Sequence, residues 1–214
     1  MNKLIYEYLD SYIPNPKCEL EYNRDYELLL ATILSARCTD KRVNKVTKEF
    51  FKNYDIYGIA NADIKSIENI IKSCGNYSKK SVYLIEVCKS LVKDYDGKVP
   101  NNRKYLETLP GVGRKTTNVV LKNLYNEPCI PVDTHVERVS KRLGLAKPSD
   151  TVNVVEKKLM KFIPKEKWNR VGEQLLLFGR YYCKSVNPKC DDCLMKKICK
   201  YQKNSSNCEL HPLE

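Results

Sequence analysis

The chain has 214 residues, ordinary aliphatic and aromatic content, and a formal charge of +12 from 38 basic and 26 acidic side chains. Length and composition exclude whole-chain disorder and leave room for one large domain or two small ones with a true core. No stretch approaches the roughly 18 apolar residues of a membrane span, and the excess positive charge favours a polyanionic partner.

The N-terminal MNKLIYEYLDSYIPNP carries Glu7 and Asp10 and no sustained apolar run, so it does not read as a secretory signal. The expected location is the cytoplasm, where ten cysteines stay reduced. Helical periodicity dominates the rest of the chain. Tyr26, Leu29, Leu30, Ile33 and Leu34 make one apolar face; Leu84, Val87, Cys88 and Leu91 make another; Val152, Val155, Leu159 and Phe162 make a third. Asp40 is expected to cap a helix beginning at Lys41, and Gly75, Gly97 and Gly144 follow periodic runs as helix C-terminal caps. Convincing period-two alternation is almost absent. The apolar PCIPVD, residues 128–133, is bracketed by prolines and reads as an extended connector. The class is all-α.

LPGVGRKTTNVV, residues 109–120, sets two glycines in a tight loop just before an apolar-periodic helix. Gly111 and Gly113 permit backbone angles and close approach that other residues forbid, and amides opening a helix form a cradle for an anion. A nucleotide-binding P-loop is excluded, because Lys115 follows Arg114 and no glycine stands where that loop requires one. An ordinary glycine turn between helices is the bland alternative. Lys115 sits at the wrong end of a helix for a cation. An ammonium beside Arg114 is disfavoured there, which favours the neutral, nucleophilic amine; the simpler role is a charge clamped on phosphate.

Asp133, 18 residues further on, directly precedes a helix with apolar positions Val136, Val139 and Leu143. Asp is a preferred N-cap, worth about 1 kcal/mol. Capping hydrogen bonds favour its ionised form, which can stabilise a sugar cation or assist deprotonation of an amine. His135 is read as a packed, hydrogen-bonded residue outside the chemistry. Near the C-terminus, Cys183, Cys190, Cys193 and Cys199 fall in a C-x6-C-x2-C-x5-C spacing. Such crowding points to one metal centre, zinc or a four-iron cluster, and the lysines around it make the segment basic. The sequence from residue 202 onward shows no helical pattern.

The glycine hairpin with its lysine, the later aspartate and the cysteine spacing together resemble the endonuclease III family of helix-hairpin-helix DNA glycosylases, from about Tyr22 to Tyr201. The resemblance implies two helical domains flanking a DNA-binding cleft. Residues 18–127 would form a six-helix barrel carrying the hairpin, and residues 1–17 plus 128–214 a domain holding a [4Fe-4S] cluster on the four cysteines. It implies a base-excision enzyme that removes oxidised pyrimidines from damaged double-stranded DNA, associated with the nucleoid if the source is a bacterium. The sequence gives no reason to expect an oligomer, so a monomer is expected. Lys115 would attack the sugar C1′ and form a Schiff base, Asp133 would assist, and β-elimination would nick the strand. Gly111, Val112, Gly113 and Arg114 would hold phosphate. Two positions depart from the family pattern: Arg37-Cys38 stand where Gln-Ala is common, and Asn76, beside Tyr77, stands in place of a leucine. In the family these positions fill the gap left by the flipped nucleotide, so Arg37 and Asn76 are expected to shift opposite-base preference. The competing readings are a non-catalytic damage-binding module and a monofunctional glycosylase that uses water.

Overall fold

The computed structural model describes residues 2–202; Cys208 and the rest of the segment from residue 203 lie outside the described residues. All regular structure among the described residues is helical. It runs from α1 (Asn2–Tyr12) to α11 (Trp168–Tyr181), with 3-10 turns at Lys165–Lys167 and Lys196–Ile198. The chain divides into two compact units. One is Cys18–Glu127; the other joins Met1–Lys17 to the chain from Pro128 onward.

In the first unit, α2 (Asp25–Leu34) is buried from Tyr26 through Leu34. The face read from sequence is therefore part of an enclosed helix, with α3 (Asp40–Asn53), α6 (Tyr77–Tyr95) and α8 (Arg114–Tyr125) packed around it. Glu27 accepts hydrogen bonds from the Asn23 and Arg24 amides at 2.7 and 3.3 Å, satisfying donors that a helix start leaves over. Asp25 Oδ2 accepts the Val99 amide at 2.7 Å and ties the helix start to the segment after α6. Thr39, not Asp40, caps α3: its hydroxyl accepts the Arg42 amide at 3.4 Å. Thr39 has the extended backbone an N-cap needs, and Asp40 occupies the first turn, where a carboxylate suits the helix dipole.

Leu84, Val87, Cys88 and Leu91 are buried, as their spacing requires, where α4 (Ile56–Ala60) and α5 (Ile64–Ile71) pack on α6. Helix α6 stops at Asp96 in the left-handed region, followed by Gly97 at φ +77°. Gly75 is no cap. Helix α5 ends at Ile71 with Lys72 still in the right-handed region, and Gly75 lies beyond it without a positive φ.

In the second unit α1, α9 (Thr134–Leu143), α10 (Val152–Phe162) and α11 enclose Ile5, Leu9, Val136, Val139, Leu159 and Phe178. Gly179 allows close approach of α11 to α9, since a Cβ there would lie 2.9 Å from His135 Cβ. Gly144, at φ +77°, ends α9 as its place after the periodic run suggested. Val152 is 40% exposed, so the buried face of α10 begins at Val155. Residues 128–133 form an extended connector, and Ile130 and Val132 are buried in this core. Among the described residues no helix is long and apolar enough to cross a membrane.

Candidate active site

Helix α7 (Arg103–Leu106) and α8 are joined by a turn in which the Val112 amide donates to Leu109 O at 3.1 Å. Gly111 takes φ +77°, and a Cβ there would stand 2.5 Å from Tyr83 Cδ2 on α6. Gly113 is the N-cap of α8 and has open space where a Cβ would go. The two glycines thus serve different ends. Gly111 is required by the fold of the turn, while Gly113 keeps the approach to the helix start clear. Gly111→Ala should cost about 2 kcal/mol through left-handed strain and the ring clash, read as a lower midpoint in urea unfolding. Gly113→Ala should cost under about 1 kcal/mol yet weaken binding of duplex DNA, read by fluorescence anisotropy.

Both glycines are exposed, and among the described residues neither of their N–H groups has a protein acceptor. Val112 behaves differently from the sequence expectation. Its side chain is 4% exposed and its amide is already bonded, so it anchors the turn and leaves the cradle to the glycine amides and the start of α8. Arg114 is exposed at the first position of α8, and Lys115, half-buried, is the second.

In the other unit, Asp133 is the N-cap of α9. Its Oδ1 accepts the His135 and Val136 amides, both at 2.9 Å. Among the described residues Oδ2 has no hydrogen-bond partner, so one carboxylate oxygen fixes the helix and the other stays available. His135 Nδ1 lies 3.2 Å from Arg138 Nη2, in keeping with a packed, bonded ring.

One and two turns along α9, Arg138 and Arg142 fasten the helix to the start of the cysteine segment. Arg138 donates to Gly179 O at 2.7 Å and to Cys183 O at 3.0 and 3.2 Å. Arg142 donates to Lys184 O at 2.6 Å, Ser185 O at 3.3 Å and Cys183 Sγ at 3.4 Å, and its guanidinium lies 4.5 Å from the Tyr201 ring centroid. Sequence reading missed both arginines. Their signal was two cations four residues apart in the last turns of a capped helix, a spacing that places them on one face.

Cys183, Cys190, Cys193 and Cys199 line one cavity with Tyr12, Arg142, Phe178, Tyr182 and Met195. All four are free thiols. Burial raises the Cys190 thiol above its ordinary range, with Cys183, Cys193 and Cys199 adding to the effect. Burial also raises Cys193, which has Cys183 and Cys199 in electrostatic reach. Among the described residues no three His, Cys, Asp or Glu side chains converge tightly enough to hold a metal ion. Four sulfurs around a largely apolar cavity, with an arginine N–H directed at one of them, fit a polynuclear centre of four thiolates.

Arg37 is exposed at φ +56°, and Asn76 is exposed at φ +58° as N-cap of α6, with no side-chain cap bond. Asparagine tolerates the left-handed region and leucine resists it, so the backbone at position 76 supplies a structural reason for this departure. The two loops adjoin: a Cβ on Gly75 would lie 3.9 Å from Arg37 O. Tyr77, half-buried, opens α6.

Residues 30–165 match the model of the HhH-GPD superfamily of base excision DNA repair proteins. Endonuclease III of Bacillus subtilis is 44% identical over 191 residues, covering 87% of this chain and 86% of its own. Endonuclease III of Rickettsia prowazekii is 45% identical over 207 residues and 96% of each chain. A solved structure of a trapped endonuclease III–DNA covalent intermediate aligns at TM-score 0.91 and 42% identity, covering 96% of this chain and 99% of that one. A thermostable thymine-DNA glycosylase aligns at TM-score 0.84 and 25% identity, over 95% and 97% of the two chains. On this similarity the chain belongs to the endonuclease III family, within the HhH-GPD superfamily of base excision DNA repair proteins.

Proposed function

We propose that this chain is a bifunctional DNA glycosylase and apurinic/apyrimidinic lyase, with Lys115 as nucleophile and Asp133 as the assisting carboxylate. The carrying observation is local. A lysine stands second in α8, one residue after a turn whose two glycines have unbonded amides, and an aspartate caps α9 through one oxygen and keeps the other available. The glycine amides hold phosphate at the start of α8, a contact that positions DNA without reading sequence. A base inside the duplex is out of reach, so the target nucleotide leaves the stack.

The Lys115 amine then forms a bond to C1′ as the bond from C1′ to the base breaks, and the base leaves with the electron pair. Asp133 stabilises the positive charge that develops on the sugar and helps remove the amine proton. Opening of the sugar ring converts the adduct to an imine. Loss of a C2′ proton then expels the 3′ phosphate, which nicks the strand. Oxidised pyrimidines are the substrate class, and Arg37 and Asn76 contact the base left opposite. Borohydride reduction during reaction with abasic duplex separates the readings. A covalent protein–DNA adduct supports imine chemistry. Binding or base release with no adduct would instead leave a passive damage binder or a water-using glycosylase.

The cysteine site is read as a [4Fe-4S] centre held by Cys183, Cys190, Cys193 and Cys199. When bound, it cross-links the segment by four metal–thiolate bonds. The protein's own part is to fasten that segment to α9 through Arg138 and Arg142. Protein purified without oxygen should be brown and contain about four irons per chain; colourless, zinc-loaded protein contradicts the assignment.

A further inference from the structure

A buried lysine outside the proposed chemistry stands beneath the Arg37 turn. Lys80, on α6, is 4% exposed, and its ammonium donates to Leu34 O at 2.8 Å and Ala36 O at 2.7 Å. The first carbonyl belongs to the last residue of α2, one of the acceptors a helix end leaves without an internal partner, where a cation is also favoured by the helix dipole. The second belongs to the peptide joining Ala36 to Arg37. Burial pushes the Lys80 ammonium below the ordinary lysine range, against the opposing influence of the Cys74 and Cys38 thiols beside it. Charged or neutral, the amine retains N–H donors for both carbonyls.

The second bond bears on the backbone of Arg37. Residues 35–38 form a turn closed by the Cys38 amide donating to Ser35 O at 3.0 Å, with Arg37 in its third position. In such a turn the plane of the central peptide decides the sign of φ at that position: one orientation gives a negative φ, the flipped one a positive φ. Arg37 takes φ +56°, a region that a long side chain such as arginine seldom enters unless its surroundings favour it. The favouring contact is visible, since Lys80 grips the carbonyl of the flipped peptide. Asn76 is linked to the same residue, because its carbonyl accepts the Lys80 amide at 3.0 Å in the first turn of α6. One residue therefore ties the Arg37 turn, through its side chain, to the helix start that bears Asn76, through its backbone amide.

We propose that Lys80 is a positioning residue for opposite-base recognition: by holding the Ala36–Arg37 peptide flipped, it fixes the direction in which the Arg37 guanidinium is presented to DNA. This rests on the reading of Arg37 as a contact to the base opposite the lesion. It extends that reading to a residue that touches no nucleic acid.

The test compares the full-length wild type, Lys80→Met, Arg37→Ala and the double variant. Single-turnover cleavage is measured on duplexes carrying one oxidised pyrimidine opposite each of the four bases. The crystal structure of Lys80→Met supplies the φ of Arg37. The expected result is a negative φ at Arg37 and an opposite-base preference changed by about tenfold in Lys80→Met. Arg37→Ala should show a change of similar size, and the double variant none beyond it. A lysine that merely supports the fold would instead slow all four duplexes equally in both Arg37 backgrounds, and that outcome, or a φ still positive without the lysine, overturns the proposal. If Arg37→Ala leaves the base preference untouched, the reading of Arg37 fails and the proposal falls with it, a failure visible without any Lys80 variant. If Lys80→Met does not fold, Lys80→Gln, which keeps an N–H donor, takes its place. It should lie nearer the wild type in base preference than Arg37→Ala does, and a profile matching Arg37→Ala with φ still positive also overturns the proposal.

Discussion

Replacing Lys115 by alanine should abolish borohydride trapping on abasic duplex while leaving the affinity for that duplex within about threefold of wild type. The asymmetry reflects the job of the side chain. Phosphate affinity comes from several cations and amides together, and the glycine amides and Arg114 stay in place. The covalent step has a single nucleophile, so its loss should lower strand cleavage by about 10³-fold or more. Lys115 is half-buried at the second position of α8, where truncation to a good helix former leaves the helix intact. A fold defect therefore does not confound the result. Gel trapping with a parallel anisotropy titration reads both quantities.

Asp133→Asn should separate the cap from the catalysis. Asparagine is as good an N-cap as aspartate, and its side-chain oxygen can accept the His135 and Val136 amides as Asp133 Oδ1 does. Stability in urea should change by less than about 0.5 kcal/mol. The uncharged amide can neither take a proton from the amine nor offset a sugar cation, so the rate of imine formation should fall by about 10² to 10⁴. Asp133→Ala should show the same kinetic loss together with about 1 kcal/mol of destabilisation from the missing cap. A stability loss in the asparagine variant as large as that in the alanine variant would mean that the cap needs the carboxylate charge and that cap and catalysis cannot be separated at this residue.

How far the sequence discloses this protein depends on whether the signal is periodic or tertiary. The buried faces of α6 and α9 were legible because their apolar spacing and closing glycines obey the same geometry in any helical protein. The Gly111 turn was legible because two closely spaced glycines before a periodic helix mark a tight turn, and Gly111 takes the positive φ that such a turn needs. Helix α2 was only half legible: its enclosure on every side depends on α3, α6 and α8 arriving from elsewhere in the chain. Thr39 was passed over for Asp40 because both are good caps and only the backbone angle tells which is used.

The residues proposed to carry the chemistry stood out by type and spacing, but their supports did not. Nothing local marks Lys80 as buried, because its acceptors lie 44 and 46 residues away in sequence. Tyr83 gives no hint that it lies against Gly111, and Arg142 gives none that it reaches a cysteine sulfur 41 residues on. Val112 shows the opposite error. It lies inside a motif whose general character is clear, yet its own amide and side chain are already committed. A motif identifies a site, and the three-dimensional bonding assigns the atoms within it.

The most direct measurement is the location of the reduced adduct. Wild-type protein trapped on abasic duplex with borohydride, digested with nuclease and trypsin, and sequenced by tandem mass spectrometry should carry the sugar remnant on the Lys115 Nζ. Because a modified lysine resists trypsin, the mass should fall on the peptide spanning residues 115–122. The same mass on Lys122, on the N-terminal amine or on any other lysine, with residue 115 unmodified, would contradict the account.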